Sequence, residues 1–139
     1  MIPELHETVH EIVLEIVNAS EIDDKKTEWT AYQKLAAVCE ESERTGRNHP
    51  FQWETLGDFT HDKVLAVNFY EKALAYAHAA ELHEYISSIN LAMAEAFIDI
   101  GNIDKARHLA IQANESVEKV NDVELRKRIS ELLLQLSST

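Results

Sequence analysis

Alanines recur through residues 66–113, many of them three, four or seven positions apart. Those spacings return a side chain to the same face of a helix, so the alanines form columns. A column of small side chains lets a neighbouring helix approach closely, and large residues beside it, such as Phe69, Tyr70, Phe97 and Leu109, can fill the remaining space. The pattern predicts antiparallel helix hairpins packed side by side. The alanines concerned are Ala66, Ala73, Ala77, Ala80, Ala92, Ala94, Ala96, Ala106, Ala110 and Ala113.

The rest of the chain offers little material for turns or strands. It has three glycines and two prolines in 139 residues, and no segment alternates apolar and polar residues over the length of a strand. We therefore predict one all-α domain over residues 1–139, with about seven helices. The first predicted helix runs from Pro3 to about Asn18, the second contains Trp29 and ends before Gly46, and the third begins at Pro50 and contains Leu56. The fourth covers 62–82, with Asp62 as its cap, and the fifth covers 84–100. The sixth begins near Asp104, and the seventh covers 121–136. We expect Cys39 and both tryptophans, Trp29 and Trp53, to lie in the core.

The charge balance limits the partners of this protein. Acidic residues outnumber basic ones by 25 to 13, a formal net charge of −12. Such a chain repels polyanions and attracts basic partners, so we expect no binding to nucleic acid. The first ten residues lack the pattern of a secretory signal, and no apolar run approaches membrane-spanning length. These features predict a cytoplasmic protein with no membrane partner.

Residues 6–10 match the H-E-x-x-H spacing of zinc peptidases, with His6 and His10 as the two histidines. On a helix they lie within about 40° of each other, as two zinc ligands must. Catalytic zinc also needs a third protein ligand, and the H-x-x-G-x-x-H extension is missing; Glu28 is one of many distant acidic residues that could be proposed. A chance match on an amphipathic helix is favoured, so we predict no metal, no cofactor and no enzyme activity.

Small and large residues follow a fixed order between residues 87 and 120. The members of this pattern are Met93, Ala94, Phe97, Gly101, Ala106, Ala110 and Ala113. With them the stretch resembles the tetratricopeptide repeat, a pair of antiparallel helices of about 34 residues. The resemblance implies that Gly101 makes the tight turn between the two helices and that Ala106 lies where the second helix crosses the first.

A second, weaker copy lies upstream of the first. Trp53 to Gly57 reads W-x-x-L-G, the opening of the repeat, and Ala66, Tyr70 and Ala73 match its second helix if about three residues are deleted. Residues 53–120 therefore resemble two repeats, spanning about 50–82 and 87–120. The resemblance implies a right-handed α-solenoid, in which residues 1–46 are a third, degenerate helix pair and residues 121–137 a capping helix.

In this family the first helix of each pair lines a concave groove that holds a segment of another protein. Carried onto this sequence, the resemblance implies an apolar floor ringed by carboxylates, which would suit a basic or amphipathic polypeptide. The competing interpretation is that these carboxylates are ordinary solvated side chains. The implied groove positions are Phe51, Glu54, Asp58, Ser88, Leu91, Glu95, Ile98 and Asp99.

We therefore expect a protein-interaction module, such as an adaptor or a chaperone. A narrower alternative is an immunity or antitoxin-like protein that neutralises a basic toxin. A zinc peptidase is the least favoured alternative. A homodimer is also compatible with the sequence, because two repeats leave an edge that a second copy could cover.

Overall fold

The computed structural model describes residues 3–138, and it describes side chains from Glu4 to Ser138. This part of the chain is all-helical, which confirms the predicted fold class. The helices are α1 (Pro3–Glu21), α2 (Lys25–Arg44), α3 (Pro50–Asp58), α4 (Lys63–Ala79), α5 (His83–Ile100), α6 (Ile103–Val117) and α7 (Val123–Ser137). Within the described residues, none of these helices has the length and apolar character needed to cross a membrane.

Local side chains and glycines set the helix ends. Asp62 accepts hydrogen bonds from the backbone N–H groups of Val64 and Leu65, at 3.0 and 3.3 Å, and so caps α4 as predicted. Gly101 ends α5 with a φ of 95°, a left-handed conformation that favours glycine. The first helix is longer than predicted, because it continues past Asn18 to Glu21.

Each helix packs chiefly against its neighbours in the chain. The interfaces of α5 with α6, α3 with α4, α4 with α5 and α1 with α2 are extensive, whereas α2 meets α3 over a smaller interface. The fold is therefore a row of helix hairpins, with α7 packed against α6 at the end. Because α3 also touches α5, the first helices of two successive pairs lie side by side.

Most of the predicted alanines are buried in the core between the helices. Seven of these alanines, on α4, α5 and α6, are at most 1% exposed: Ala66, Ala73, Ala77, Ala94, Ala106, Ala110 and Ala113. Ala96 is also buried, whereas Ala80 is exposed and Ala92 is partly exposed. The small residues thus allow the helices from α4 to α6 to approach closely.

Two of the three residues expected in the core are buried. Cys39 is fully enclosed, its thiol donates to the backbone oxygen of Gln52 at 3.3 Å, and burial raises its pKa to about 12. Trp53 is 3% exposed. The prediction was wrong for Trp29, which is 63% exposed on α2, where its ring stacks on Tyr32 beside an open cleft.

Candidate functional site

The four predicted groove carboxylates lie on two neighbouring helices. Glu54 and Asp58 belong to α3, and Glu95 and Asp99 belong to α5. The contact between α3 and α5 brings the two pairs to one face of the protein. Their spacing of four residues on each helix places both members of a pair on the same side of that helix.

Three of these carboxylates surround a cavity of about 360 Å³, which we call the acidic pocket. Asp58, Glu95 and Asp99 line it together with Lys63 and Arg128. The remaining lining comes from Tyr70 and three alanines, Ala66, Ala92 and Ala96. The pocket therefore draws residues from α3, α4, α5 and α7, and acidic groups outnumber basic ones in it.

The cations of the acidic pocket form weak ion pairs. Nη2 of Arg128 lies 3.4 Å from Oε1 of Glu95, and Nζ of Lys63 lies 3.9 Å from Oδ2 of Asp99. The side chains in both pairs are about half exposed. Water and salt screen such pairs, so each contributes at most about 1 kcal/mol. A cation from a partner could replace either of them at low cost.

A tyrosine from α4 fixes the position of Asp58. The hydroxyl of Tyr70 donates to Oδ1 of Asp58 at 2.6 Å. Although Asp58 is exposed as a residue, protein atoms packed around its carboxyl desolvate it and raise its pKa, and the bond from Tyr70 opposes that shift. The pKa of Tyr70 is itself raised by desolvation and by Asp58, so its hydroxyl stays a donor. One wall of the acidic pocket is thus held in place before any partner binds.

Glu54 and Ser88 join α3 to α5. Oγ of Ser88 donates to Oε2 of Glu54 at 2.7 Å. Desolvation raises the pKa of Glu54 to about 7, with the Ser88 hydrogen bond lowering it and the charge of Asp58 raising it. At neutral pH Glu54 is therefore partly protonated, and it adds less negative charge to this face than a solvated glutamate would.

The predicted apolar floor does not form as a continuous surface. Leu91 is 2% exposed and belongs to the core, so its assignment to the groove surface was wrong. Phe51 and Ile98 remain partly exposed, and the ring of Phe51 packs against the imidazole of His6 with the ring centroids 4.8 Å apart.

The first histidine of the H-E-x-x-H match on α1 makes this aromatic contact. His6 packs against Phe51, and His10 is exposed. Among the described residues, no group of three or more His, Cys, Asp or Glu side chains is arranged to hold a metal ion.

Besides the three alanines, sequence reasoning missed three residues with polar side chains in the acidic pocket, namely Lys63, Tyr70 and Arg128. They lie on α4 and α7, whereas the family resemblance pointed only to the first helix of each pair. Arg128 reaches Glu95 across 33 positions of sequence, so no local pattern identifies that contact. The only available signal was the position of Tyr70 and Lys63 on the helix that follows Asp58.

No family model, no curated protein and no solved structure matches this chain significantly. The resemblance to the tetratricopeptide repeat therefore stays a prediction, carried by the quoted residues alone.

Proposed function

We propose that this protein is a non-enzymatic protein-binding module that holds a basic segment of another polypeptide. The observation that carries the proposal is the convergence of Asp58, Glu95 and Asp99 on one cavity of about 360 Å³. A cavity of that size accepts a lysine or arginine side chain, and carboxylates are the groups that bind a guanidinium or an ammonium best. An adaptor, a chaperone and a neutraliser of a basic toxin would all use such a surface.

Two electrostatic features support this assignment. The net charge of −12 attracts a basic partner from a distance and raises its association rate. Within the acidic pocket the bonds of Lys63 and Arg128 are half exposed and weak, so Asp99 and Glu95 can exchange their partners. The hydrogen bond from Tyr70 keeps Asp58 in position, which reduces the entropy lost when a ligand binds.

Fluorescence anisotropy with a short labelled peptide of alternating arginine and serine tests the proposal. We expect binding at low salt that weakens strongly at high salt, because the attraction is screened. The double variant Glu95→Gln/Asp99→Asn should bind about tenfold more weakly, since it loses two charge contacts of about 0.5–1 kcal/mol each.

The matched control is Glu115→Gln/Glu118→Gln, which removes two exposed carboxylates that do not line the acidic pocket. The control changes the net charge by the same amount, so it separates the effect of the acidic pocket on binding from the effect of the overall charge. We expect less than about a twofold effect in this control. Binding that is indifferent to salt, or equal weakening by both double variants, would contradict the proposal.

A further inference from the structure

A second cavity lies where the α1–α2 hairpin meets α3 and α4. It has a volume of about 550 Å³, and we call it the aromatic cleft, after Trp29, Tyr32 and Phe59, which line it with Leu65. Trp29 is 63% exposed, and its ring stacks on Tyr32 with the centroids 5.8 Å apart and the planes 19° apart. Large apolar surface that stays open to water in this way is typical of a binding site.

The aromatic cleft is held open by the fold itself. Thr60 donates its hydroxyl hydrogen to the backbone oxygen of Leu56 at 2.6 Å. The hydroxyl of Tyr32 lies 2.7 Å from Oγ1 of Thr60 and must be the donor in that contact, because Thr60 has no second hydrogen. This bond fixes the Tyr32 ring, and the Tyr32 ring in turn supports Trp29. The cleft is therefore formed before any ligand arrives.

A third cavity adjoins both the aromatic cleft and the acidic pocket, and we call the three together the groove. A connecting cleft of about 350 Å³ shares Phe59, Thr60 and His61 with the aromatic cleft. The same connecting cleft shares Asp58 and Lys63 with the acidic pocket. A single extended peptide can therefore pass from Trp29 to Asp58 and on into the acidic pocket.

Acidic groups outnumber basic ones along the whole groove. Six carboxylates line its three parts: Glu21, Glu28, Asp58, Asp62, Glu95 and Asp99. Only three lysine and arginine side chains do so: Lys25, Lys63 and Arg128. A basic occupant complements this lining, whereas a second copy of this chain would bring another net charge of −12 against it.

We propose that the groove binds one linear segment that carries both an aromatic or large aliphatic residue and a cluster of lysine or arginine. The apolar residue lies in the aromatic cleft against Trp29, and the basic residues occupy the acidic pocket. This inference rests on the proposed function and adds its specificity, because charge alone selects any basic peptide. Burial of one large apolar side chain contributes about 1.5–3 kcal/mol, which corresponds to at least tenfold in affinity.

The test uses three sets of labelled peptides with the full chain. The first set contains arginines and one phenylalanine, in a series that varies the spacing between them. The second replaces the phenylalanine by alanine, and the third replaces the arginines by glutamine. At the best spacing we expect the first set to bind at least about tenfold more tightly than either of the others.

Variants of exposed residues locate the effect. Trp29→Ala should weaken the first set about tenfold and leave the alanine set unchanged, and Trp29→Phe should restore most of the affinity. Leu134→Ala is the matched control, because Leu134 is 70% exposed on α7 and lines none of the three parts of the groove. Circular dichroism checks that each variant keeps its helical content.

The outcomes separate the two proposals. If the phenylalanine and alanine sets bind equally and Trp29→Ala has no effect, the inference is overturned and the proposed function stands. If Trp29→Ala weakens both sets equally, the inference is also overturned, since the tryptophan then makes no contact with the apolar residue. If none of the arginine peptides binds, or if the glutamine set binds as tightly as the first, the proposed function fails as well.

Discussion

The α1–α2 hairpin and the α4–α6 region are joined to their neighbours in different ways. From α4 to α6 the interfaces contain buried alanines, including Ala73, Ala94 and Ala110, each 0% exposed. The α1–α2 hairpin meets α3 over a smaller interface. Its buried apolar residues, such as Leu35, belong to the same core as Trp53 and Leu56 of α3, and polar and aromatic contacts add to that packing. The acidic pocket lies at the edge of the first kind of interface, and the larger aromatic cleft lies beside the second.

Several specific polar contacts also join the α1–α2 hairpin to α3 and α4. Tyr32 bonds to Thr60 after α3, and the thiol of Cys39 bonds to the backbone of α3. Lys72 on α4 lies 2.8 Å from Oε2 of Glu43 on α2 and 4.4 Å above the ring of Trp53. Such contacts fix the orientation of the hairpin and add to the apolar packing of Leu35 and Cys39 in the core. The aromatic cleft therefore lies beside the smaller interface, next to the more extensively packed helices α4 to α6.

The largest effect on stability should come from a methyl group added to α3 where it packs against α4. A Cβ at Gly57 would lie 2.6 Å from Cε1 of Tyr70, whose ring is buried and held by its bond to Asp58. We expect Gly57→Ala to lower the free energy of unfolding by about 2–3 kcal/mol, because overpacking outweighs a gain of about 1 kcal/mol in helix propensity. Urea denaturation followed by circular dichroism measures it.

The same substitution in a Tyr70→Ala variant shows whether the ring of Tyr70 causes the loss of stability. In Tyr70→Ala the obstructing atoms are gone, so the added methyl group should cost less than about 1 kcal/mol. An equal cost in both backgrounds would mean that the methyl group acts through the helix alone.

The next effect depends on pH and concerns Glu54, where α3 meets α5. Its pKa is raised from 4.5 to about 7 by desolvation, so the folded state keeps a proton that the unfolded chain loses. Stability should therefore fall as the pH rises from about 4.5 to about 7, and stay lower above that window. Glu54→Gln removes this penalty and keeps an acceptor for Ser88. We expect it to be more stable than the wild type by about 2 kcal/mol at pH 8, with little difference at pH 4.

Thermal or urea unfolding of the two proteins across this pH range gives the comparison. Glu115→Gln, which removes an exposed carboxylate of α6, serves as the control for net charge. A difference between Glu54→Gln and the wild type that does not change with pH would contradict the assigned titration.

Where the α1–α2 hairpin meets the end of α3, we expect Tyr32→Phe to cause a smaller loss of stability. The variant removes the hydroxyl that donates to Thr60 and keeps the ring, so it should destabilise the fold by about 1 kcal/mol. Chemical denaturation measures the loss. Tyr76→Phe is a matched control, since Tyr76 is also partly buried and its hydroxyl makes no hydrogen bond that the structure records among the described residues. Equal losses in the two variants would show that the Thr60 bond contributes nothing specific.

The smallest effect should follow from Lys72→Met, which keeps the apolar stem and removes the charge. The Lys72 side chain is 38% exposed, so its pair with Glu43 is screened, and its contact with Trp53 adds a cation–π term. We expect a loss of about 0.5–1 kcal/mol at low salt and a smaller one at high salt. A loss that does not depend on salt would assign the effect to packing rather than to charge.

The helices were predictable because their signals are local. Asp62, Gly101 and the alanine columns act over one or two turns, and the structure places them as predicted except for Ala80, which is exposed, and Ala92, which is partly exposed. The end of α1 was predicted three residues too early, because no proline or glycine marks it and the helix continues through Ala19 to Glu21.

The candidate site was predictable only in part, because it depends on contacts between distant segments. Sequence placed Asp58, Glu95 and Asp99 on successive first helices, and the structure brings them to one cavity. The sequence did not identify Arg128, which lies on α7. It also did not predict that Trp29 is exposed, because that depends on how the α1–α2 hairpin packs against α3 and α4. Leu91 was misplaced because an apolar residue of α5 can face either the groove or the core, and periodicity alone does not decide between them.

Chemical-shift mapping by NMR tests the central claim most directly. We would titrate isotope-labelled protein with the phenylalanine–arginine peptide and follow backbone amides and the indole N–H of Trp29. The account predicts large shifts at Trp29, Asp58, Glu95 and Asp99, with little change at Ile111 and Glu115 on the exposed side of α6. Shifts concentrated on α6, with Trp29 and Asp58 unaffected, would contradict a binding groove between the aromatic cleft and the acidic pocket.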